Sequence, residues 1–285
     1  MDVHVICTIV AKNYLAHARC LADSFLAHHP EGRVFVLLVD RPDGYFDPSE
    51  ERFTVILAED LGIENFEALN FRYTVLELST AVKPFFLEYL FTHYEYDKIC
   101  YFDPDICFYQ RIDEIWEKLE SFAIVLIPHL MGPLDDQYLP NELTILRAGA
   151  YNLGFLGVSR HPQTEEFLHW WQGKMIKYCV VAVSQGLFVD QRWIDLVPGR
   201  FSSTYIHRDP GCNVAYWNLY NRCVTYQDGV YIVNGVPLKF YHFSGFSPDR
   251  PEQISKYQNR YAFDEHPSLK VLFDDYKARL YAAGY

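Results

Sequence analysis

Residues 98–108 read Lys-Ile-Cys-Tyr-Phe-Asp-Pro-Asp-Ile-Cys-Phe, and this stretch decides the fold class. Lys98–Phe102 and Ile106–Phe108 are largely apolar runs, typical of strands that are buried on both faces. Asp103 and Asp105 stand between them, and on extended backbone carboxylates two residues apart point to the same side. Held there, they repel each other unless a cation lies between them. The pattern predicts either a strand-end turn or a divalent-ion site for Mn²⁺ or Mg²⁺, and the repulsion favours the ion.

The chain before this stretch alternates strand-like and helix-like segments. Continuous apolar runs predict strands at Val3–Val10, Val34–Val39 and Phe53–Leu57. Asn13 is expected to cap the helix that follows the first strand, and residues 80–94 predict a further helix. This alternation favours a doubly wound, mostly parallel sheet, in which ligands bind beyond the carboxyl ends of the strands.

The chain after this stretch mixes shorter strands with helices. Strands are expected at Phe122–Ile127, Tyr151–Val158 and Leu238–Phe243 and in a hairpin at 224–233, and helices at Asp113–Leu119, Pro162–Met175, Asp190–Leu196, Glu252–Tyr261 and Ser268–Tyr281. The α/β character therefore extends through the whole chain.

Composition sets limits on the function. The 285 residues are 50% hydrophobic, which is enough for the core of one large domain or two closely packed ones. The net charge of −12 argues against nucleic-acid binding, because phosphate contacts need clustered cations. No apolar run is long enough to span a membrane and Met1–His4 lacks a signal peptide's basic region, so a cytoplasmic protein is expected. The seven cysteines form no CxxC pair, which predicts free thiols, mostly buried, and no zinc site.

Other polar residues lie at predicted strand ends or helix starts. His242 ends the last predicted strand, and we expect it to be a metal ligand only together with the two aspartates; a lone histidine is more often structural. Gly245 would let backbone N–H groups approach a phosphate. Lys83, in an apolar helix, is either a solvated lysine or the cation that an acidic protein needs to hold a diphosphate.

Two further positions suggest contacts with a substrate. Asp190 and Gln191 start a predicted helix, where the aspartate is either an N-cap or one of a polar pair that faces a substrate. Asn152, before Gly154, is either a turn residue or an amide that bridges sugar hydroxyls. Segment 209–221 combines aromatic and polar residues that suit a sugar.

Together these segments resemble the GT-A glycosyltransferases, most closely glycosyltransferase family 8 and its bacterial relatives. The resemblance spans roughly residues 3–248 and is carried by Ser79–Tyr94, Tyr96–Phe108, Arg111–Trp116, Tyr151–Phe155, Asp190-Gln191 and His242–Gly245. Two positions depart from the family pattern. Arg192 replaces a second aspartate, and Pro248 stands where the family has a lysine. Residues 209–222 have no counterpart in the family and are a candidate acceptor region.

The resemblance implies a GT-A, Rossmann-like α/β fold: a central mixed, mostly parallel sheet flanked by helices, with C-terminal helices. It implies one domain with a nucleotide-binding half at 1–108, a donor-sugar and acceptor half at 109–250 and the C-terminal helices at 251–285. It also implies roles for individual residues: Asp103, Asp105 and His242 as metal ligands, Lys83 and Gly245 at the diphosphate, Thr8 and Asn13 beside the nucleoside, and Asn152, Asp190 and Gln191 at the donor sugar.

The implied activity is metal-dependent transfer of a sugar, with retention of configuration, from a nucleotide sugar. The family default is a uridine diphosphate (UDP) sugar, with Mn²⁺ or Mg²⁺ as cofactor. The acceptor would be a glycan, a lipid-linked molecule or a protein in bacterial polysaccharide or glycan synthesis, and peripheral membrane association stays open.

Two alternatives come from other functional classes. A sugar-phosphate nucleotidyltransferase usually has a glycine-rich phosphate loop near its N-terminus, but residues 8–14 contain no glycine. A non-catalytic carbohydrate-binding protein would use the aromatic residues but would not need Asp103, Asp105 and His242 together.

Overall fold

A seven-stranded sheet forms the centre of the computed structural model, which describes residues 3–285. Met1 and Asp2 lie outside the described residues. They belong to the segment Met1–His4, which was predicted to lack the basic region of a signal peptide. The strands are β1 Val5–Val10, β2 Arg33–Leu38, β3 Thr54–Leu57, β4 Lys98–Phe102, β5 Ile106–Phe108, β6 Ile124–Leu126, β7 Phe155–Ser159, β8 Val181–Ala182, β9 Leu187–Phe188, β10 Thr204–Ile206, β11 Val224–Gln227, β12 Val230–Val233, β13 Val236–Pro237 and β14 Phe240–His242. The order in the main sheet is β10-β6-β7-β4-β1-β2-β3.

Helices cover both faces of this sheet. They are α1 Leu15–His28, α2 Phe66–Arg72, α3 Val75–Ala81, α4 Lys83–His93, α5 Asp113–Lys118, α6 Glu142–Ala148, α7 Pro162–Tyr178, α8 Gln191–Ile194, α9 Val197–Arg200 and α10 Pro267–Ala282. Every residue of β1 is buried. Its side chains alternate between two cores: Ile6 and Val10 pack on the α1 side, whereas Cys7 and Ile9 pack on the side of α3, α4 and α7.

Strand direction places the site. β7 is antiparallel to both of its neighbours, β4 and β6, while all other neighbouring pairs in the sheet are parallel. Every strand of the main sheet except β7 therefore has its carboxyl end at the same edge. β5 and β14 form a separate antiparallel pair beyond the end of β4. The mixed, mostly parallel sheet predicted from the sequence is confirmed.

Two predictions about helix starts are corrected. Asn13 does not cap α1, because it lies in a 3-10 turn at Lys12–Tyr14 and the N-cap position falls on Tyr14 without a side-chain cap. The helix predicted at residues 80–94 is two helices, α3 and α4, with Val82 between them. Pro84 fits in the first turn of α4, where its missing N–H would have no helical partner.

Two other segments are less regular than predicted. β7 starts only at Phe155, because Asn152 and Gly154 form a turn before it. Glu252–Tyr261 is not a helix. The side chains of Ser255 and Gln258 accept backbone N–H groups that a helix would use, and side chains of this kind compete with helix formation. The predicted C-terminal helices are therefore a single α-helix, α10.

The prediction of free, mostly buried thiols is confirmed. All seven cysteines are free, and only Cys223 is exposed. In the described part of the chain, no helix combines the length and apolar character needed to cross a bilayer.

Candidate active site

Asp103, Asp105 and His242 come together at the carboxyl edge of the sheet. The two aspartates occupy the link between β4 and β5. β14 pairs antiparallel with β5 so that His242 lies opposite Ile106, next to the link. The His242 Nε2 atom is 3.0 Å from Asp105 Oδ1 and 3.8 Å from Asp103 Oδ2. A residue nearly 140 positions away in sequence is thereby placed beside the two aspartates.

The charges of this group depend on each other. Burial lowers the pKa of His242, but Asp105 and then Asp103 outweigh burial, so the pKa lies above its ordinary value. Burial raises the pKa of Asp105, yet His242 brings it below its ordinary value. Within residues 3–285, the only nitrogen ion-paired with either aspartate is this imidazole. The site therefore carries uncompensated negative charge that a cation would neutralise.

The donor set fits a divalent ion. Two carboxylates and one imidazole suit Mn²⁺ well, and Mg²⁺ less well because of the nitrogen ligand. Ligand atoms of the three residues all lie within 4.8 Å of one another. The side chains of Asp103 and Asp105 are 32% and 24% exposed, so a ligand can reach them from solvent. The hydroxyl of Tyr101 donates to Asp103 Oδ1 at 2.7 Å and fixes that carboxylate.

Gly154 makes room for His242. A Cβ atom at this position would lie 2.3 Å from Cε1 and 2.6 Å from Nδ1 of the imidazole. Any other residue here would force the ring away from the aspartates. The missing side chain at Gly154 therefore allows the close approach of His242.

Two other groups of described residues gather possible metal ligands: Glu114, His207, Asp209 and Cys212, and His4, His29 and Asp113. In the first group the Lys239 ammonium donates to both carboxylates and is 2.8 Å from Asp209 Oδ2. In the second the Arg111 guanidinium donates to Asp113 Oδ1 at 2.8 Å. Each already contains a lysine or arginine cation, whereas among the described residues Asp103 and Asp105 are ion-paired with an imidazole alone.

Lys83 and Asp190 form a buried ion pair. Lys83 Nζ lies 2.7 Å from Asp190 Oδ2, donates to the Leu153 carbonyl at 3.0 Å and sits 4.1 Å from the Tyr101 ring centroid. Burial raises the pKa of Asp190, although Lys83 opposes the rise. Two alternatives from the sequence are thus corrected. Lys83 is not solvated, and Asp190 holds the N-cap position of α8 without a capping hydrogen bond.

The amides of Asn152 and Gln191 are turned inward. Asn152 is 6% exposed and Gln191 is 8% exposed. Gln191 accepts from the Leu153 N–H at 3.1 Å and donates to the Ala148 carbonyl at 2.9 Å. Both amide groups therefore contact protein atoms in this structure, where the sequence predicted contact with a donor sugar.

The three remaining predicted residues differ in how far a nucleotide could reach them. Thr8 is fully buried in the middle of β1, and its contact with a nucleoside stays a prediction. Asn13 is exposed directly after β1, as a nucleoside contact requires. Gly245 has φ 74°, and a Cβ there would lie 2.5 Å from Ser255 Oγ, so both conformation and packing require glycine.

The residues that pack against and support His242 were not predicted from the sequence. Trp217 packs edge-on against the imidazole, with ring centroids 5.1 Å apart. Asn213 donates to Asn152, and the His242 N–H donates to the Val214 carbonyl at 2.8 Å. Segment 209–222 thus supports His242, where the sequence suggested an acceptor region. No motif marks these residues, because their contacts depend on the crossing of chain segments far apart in sequence.

Comparison with known proteins adds two bacterial relatives. No family model matches the chain. The Bacillus subtilis protein YfnF, which is uncharacterized, is 26% identical over 250 residues, covering 84% of this chain and 80% of YfnF. YfnD of the same organism, also uncharacterized, is 25% identical over 277 residues, covering 94% of this chain and 86% of YfnD.

Comparison with solved structures identifies the fold. The galactosyltransferase LgtC, in complex with donor and acceptor sugar analogues, superimposes with a TM-score of 0.57 and 16% identity, covering 96% of this chain and 95% of LgtC. The glycosyltransferase GlyE of Streptococcus pneumoniae superimposes with a TM-score of 0.56 and 13% identity, covering 99% of this chain and 63% of GlyE. With Asp103, Asp105 and His242 at the expected edge of the sheet, the chain has the GT-A fold of these glycosyltransferases.

Proposed function

We propose that the protein is a glycosyltransferase that moves a sugar from a nucleoside diphosphate sugar to an acceptor hydroxyl, with a divalent ion held by Asp103, Asp105 and His242. The observation that carries this proposal is the convergence of these three side chains at the carboxyl edge of a GT-A sheet. The likeness to LgtC, a protein solved with donor and acceptor sugar analogues, supports the donor class.

The chain's own residues hold the reacting groups in place. When bound, the ion supplies positive charge that stabilises the leaving diphosphate. Tyr101 keeps Asp103 Oδ1 occupied, so Oδ2 is the oxygen that faces His242. Gly245 brings backbone close to the phosphates, and exposed Asn13 faces the nucleoside. The buried Lys83–Asp190 pair holds in place the part of the site that orients the donor sugar.

Several finer features follow from the family resemblance and belong to the same proposal. The donor is a UDP sugar, and the anomeric configuration is retained. The acceptor is a glycan, a lipid-linked molecule or a protein, in bacterial glycan synthesis. Residues 1–108 form the nucleotide-binding half and residues 109–250 the sugar-binding half of one domain, closed by residues 251–285.

The test is a donor-hydrolysis assay across UDP sugars with and without Mn²⁺. We expect one donor to be hydrolysed only with the metal, and Asp105→Asn to lower the rate at least about 100-fold, because several kcal/mol of charge stabilisation depends on that ligand. Asp274→Asn, on the exposed face of α10, is the matched control and should leave the rate unchanged.

Equal rates for Asp105→Asn and the unaltered protein would contradict the metal site. Release of pyrophosphate from a sugar 1-phosphate and a nucleoside triphosphate, without donor hydrolysis, would instead indicate a nucleotidyltransferase. Sugar binding that needs neither metal nor nucleotide would indicate a carbohydrate-binding protein.

A further inference from the structure

We infer that Asn152 is a positioning residue: its buried side-chain amide orients the imidazole of His242 so that Nε2 faces the two aspartates. This inference rests on the proposed metal site, because it explains how that site's nitrogen ligand is held. It replaces the role at the donor sugar that the sequence suggested for Asn152.

The orientation of the Asn152 amide follows from the backbone. The N–H of Gly154 lies 3.2 Å from one terminal atom of this side chain. A backbone N–H can only donate, so the atom that it contacts is the oxygen, Oδ1. The Asn213 side chain also donates to this oxygen, at 3.0 Å.

The other end of the amide is then the donor. Asn152 Nδ2 lies 3.2 Å from His129 Nε2 and 3.4 Å from Gln191 Oε1. The Gln191 atom is also fixed as an oxygen, because the backbone N–H of Leu153 donates to it. Burial lowers the pKa of His129 to about 3, so this ring is neutral and its Nε2 accepts the hydrogen bond.

This arrangement fixes a hydrogen on one nitrogen of His242. His242 Nδ1 lies 3.2 Å from Asn152 Oδ1, and an amide oxygen can only accept. Nδ1 therefore keeps a hydrogen, and Nε2, 3.0 Å from Asp105 Oδ1, is the nitrogen that would give up its proton and bind the ion. Histidines that bind metals usually donate their second N–H to a neighbouring group in this way.

The burial of the Asn152 amide argues against direct contact of this side chain with a sugar. Asn152 is 6% exposed, and its oxygen already accepts from Gly154, Asn213 and His242. Both hydrogens of its nitrogen face protein acceptors. A direct bond from this side chain to a sugar hydroxyl would require one of these buried contacts to break, at a cost of about 1–3 kcal/mol.

The test compares Asn152→Ala and Asn152→Asp with the unaltered full-length chain. The alanine variant removes the acceptor, whereas aspartate keeps an acceptor for His242 but loses the donor toward His129. Thr74→Ala removes a helix cap on α3 and serves as a destabilised control that leaves His242 untouched. Mn²⁺ affinity is measured by calorimetry. The His242 tautomer in the metal-free protein is measured by ¹⁵N NMR at a pH high enough for the ring to be neutral, with His242→Gln for assignment.

We expect Asn152→Ala to bind Mn²⁺ about 10- to 100-fold more weakly and to lose the fixed Nδ1–H form of His242. Asn152→Asp should restore most of the affinity even if it unfolds more easily, and Thr74→Ala should bind normally. Equal Mn²⁺ affinity in Asn152→Ala and the unaltered chain, or an unchanged tautomer, would overturn the inference and leave the proposed function intact. Failure of the unaltered chain to bind Mn²⁺ would overturn both.

Discussion

At the scale of single residues, His242 is held from several directions. Asn152 contacts its Nδ1, Trp217 packs edge-on against its ring, and its backbone N–H is bound by Val214. Gly154 leaves space for the ring. Such support is what a metal ligand needs, because a side chain that is free to rotate loses geometry and affinity.

Substitution of Gly154 tests this packing. Gly154→Ala would place a Cβ atom 2.3 Å from His242 Cε1, so the ring must move away from Asp105. We expect Mn²⁺ affinity to fall at least about 10-fold. In contrast, Gly173→Ala in α7, where a Cβ meets no atom within 4 Å, should bind Mn²⁺ normally and gain up to about 1 kcal/mol of stability. Calorimetric titration and urea unfolding measure the two effects, and normal binding by Gly154→Ala would contradict the packing argument.

The Lys83–Asp190 pair leads to a prediction about stability. Lys83→Met leaves the Asp190 carboxylate buried without its partner, and we expect a loss of about 3–5 kcal/mol in the free energy of unfolding. The double variant Lys83→Met, Asp190→Leu removes both charges and should recover much of this loss. Urea unfolding at pH 7 checks the cycle. If the stability losses of Lys83→Met alone and Asp190→Leu alone simply add up in the double variant, the two residues are not coupled.

The site could be predicted in part from the sequence. Asp103 and Asp105 were identified because an acidic pair between two apolar runs is a local pattern. His242 and Gly245 can be predicted from their place at the end of the last strand together with a resemblance in motif order. The inward orientation of Asn152 could not be predicted, since its partners come from segments around residues 129, 191 and 213, which only the folded chain brings together.

At the scale of elements, buried strands were the most predictable parts. The apolar runs that form β1, β2 and β4 follow from burial on both faces, and the predicted boundaries of β1 to β4 agree with the structure within about two residues. Polar segments were less predictable. At 252–261 the choice between helix and turn depends on side-chain hydrogen bonds of Ser255 and Gln258, which a helical pattern does not reveal.

Helix α3 provides a prediction at this scale. The Thr74 side chain accepts from the Glu77 N–H, and Glu77 in turn accepts from the Thr74 N–H, which together form a capping box. Thr74→Ala should lower the free energy of unfolding by about 1 kcal/mol, and Thr74→Ser should retain most of it. Donor hydrolysis should not change in either variant. A loss in Thr74→Ser as large as in Thr74→Ala would show that the hydroxyl cap is not responsible.

At the scale of the whole molecule, the fold gathers acidic groups at one edge of the sheet in a chain that is already acidic. A net charge of −12 would repel a nucleoside diphosphate at long range. A divalent ion bound at the site offsets this repulsion at the diphosphate. The same reasoning explains why metal-free protein should bind the nucleotide poorly.

Whole-molecule stability should also depend on pH through His29. This ring is fully buried, and burial together with Arg111 lowers its pKa to about 4. In the unfolded chain its pKa is about 6.5, so between these values only the unfolded state takes up the proton. Stability is therefore lost as the pH falls from 6.5 toward 4.

Urea unfolding from pH 7 to pH 4.5 checks this expectation. His29→Gln should reduce the pH dependence by up to about 1.4 kcal/mol per pH unit, and His93→Gln, on an exposed face of α4, should not change it. The same slope in His29→Gln as in the unaltered protein would show that other groups cause the acid sensitivity.

The most direct test of the central claim is an anomalous diffraction map from crystals grown with Mn²⁺ and UDP. The account predicts one Mn²⁺ peak within bonding distance of Asp103, Asp105 and His242 Nε2, with the diphosphate bound to it. A map without a peak there, or with Mn²⁺ only among Glu114, His207, Asp209 and Cys212, would contradict it.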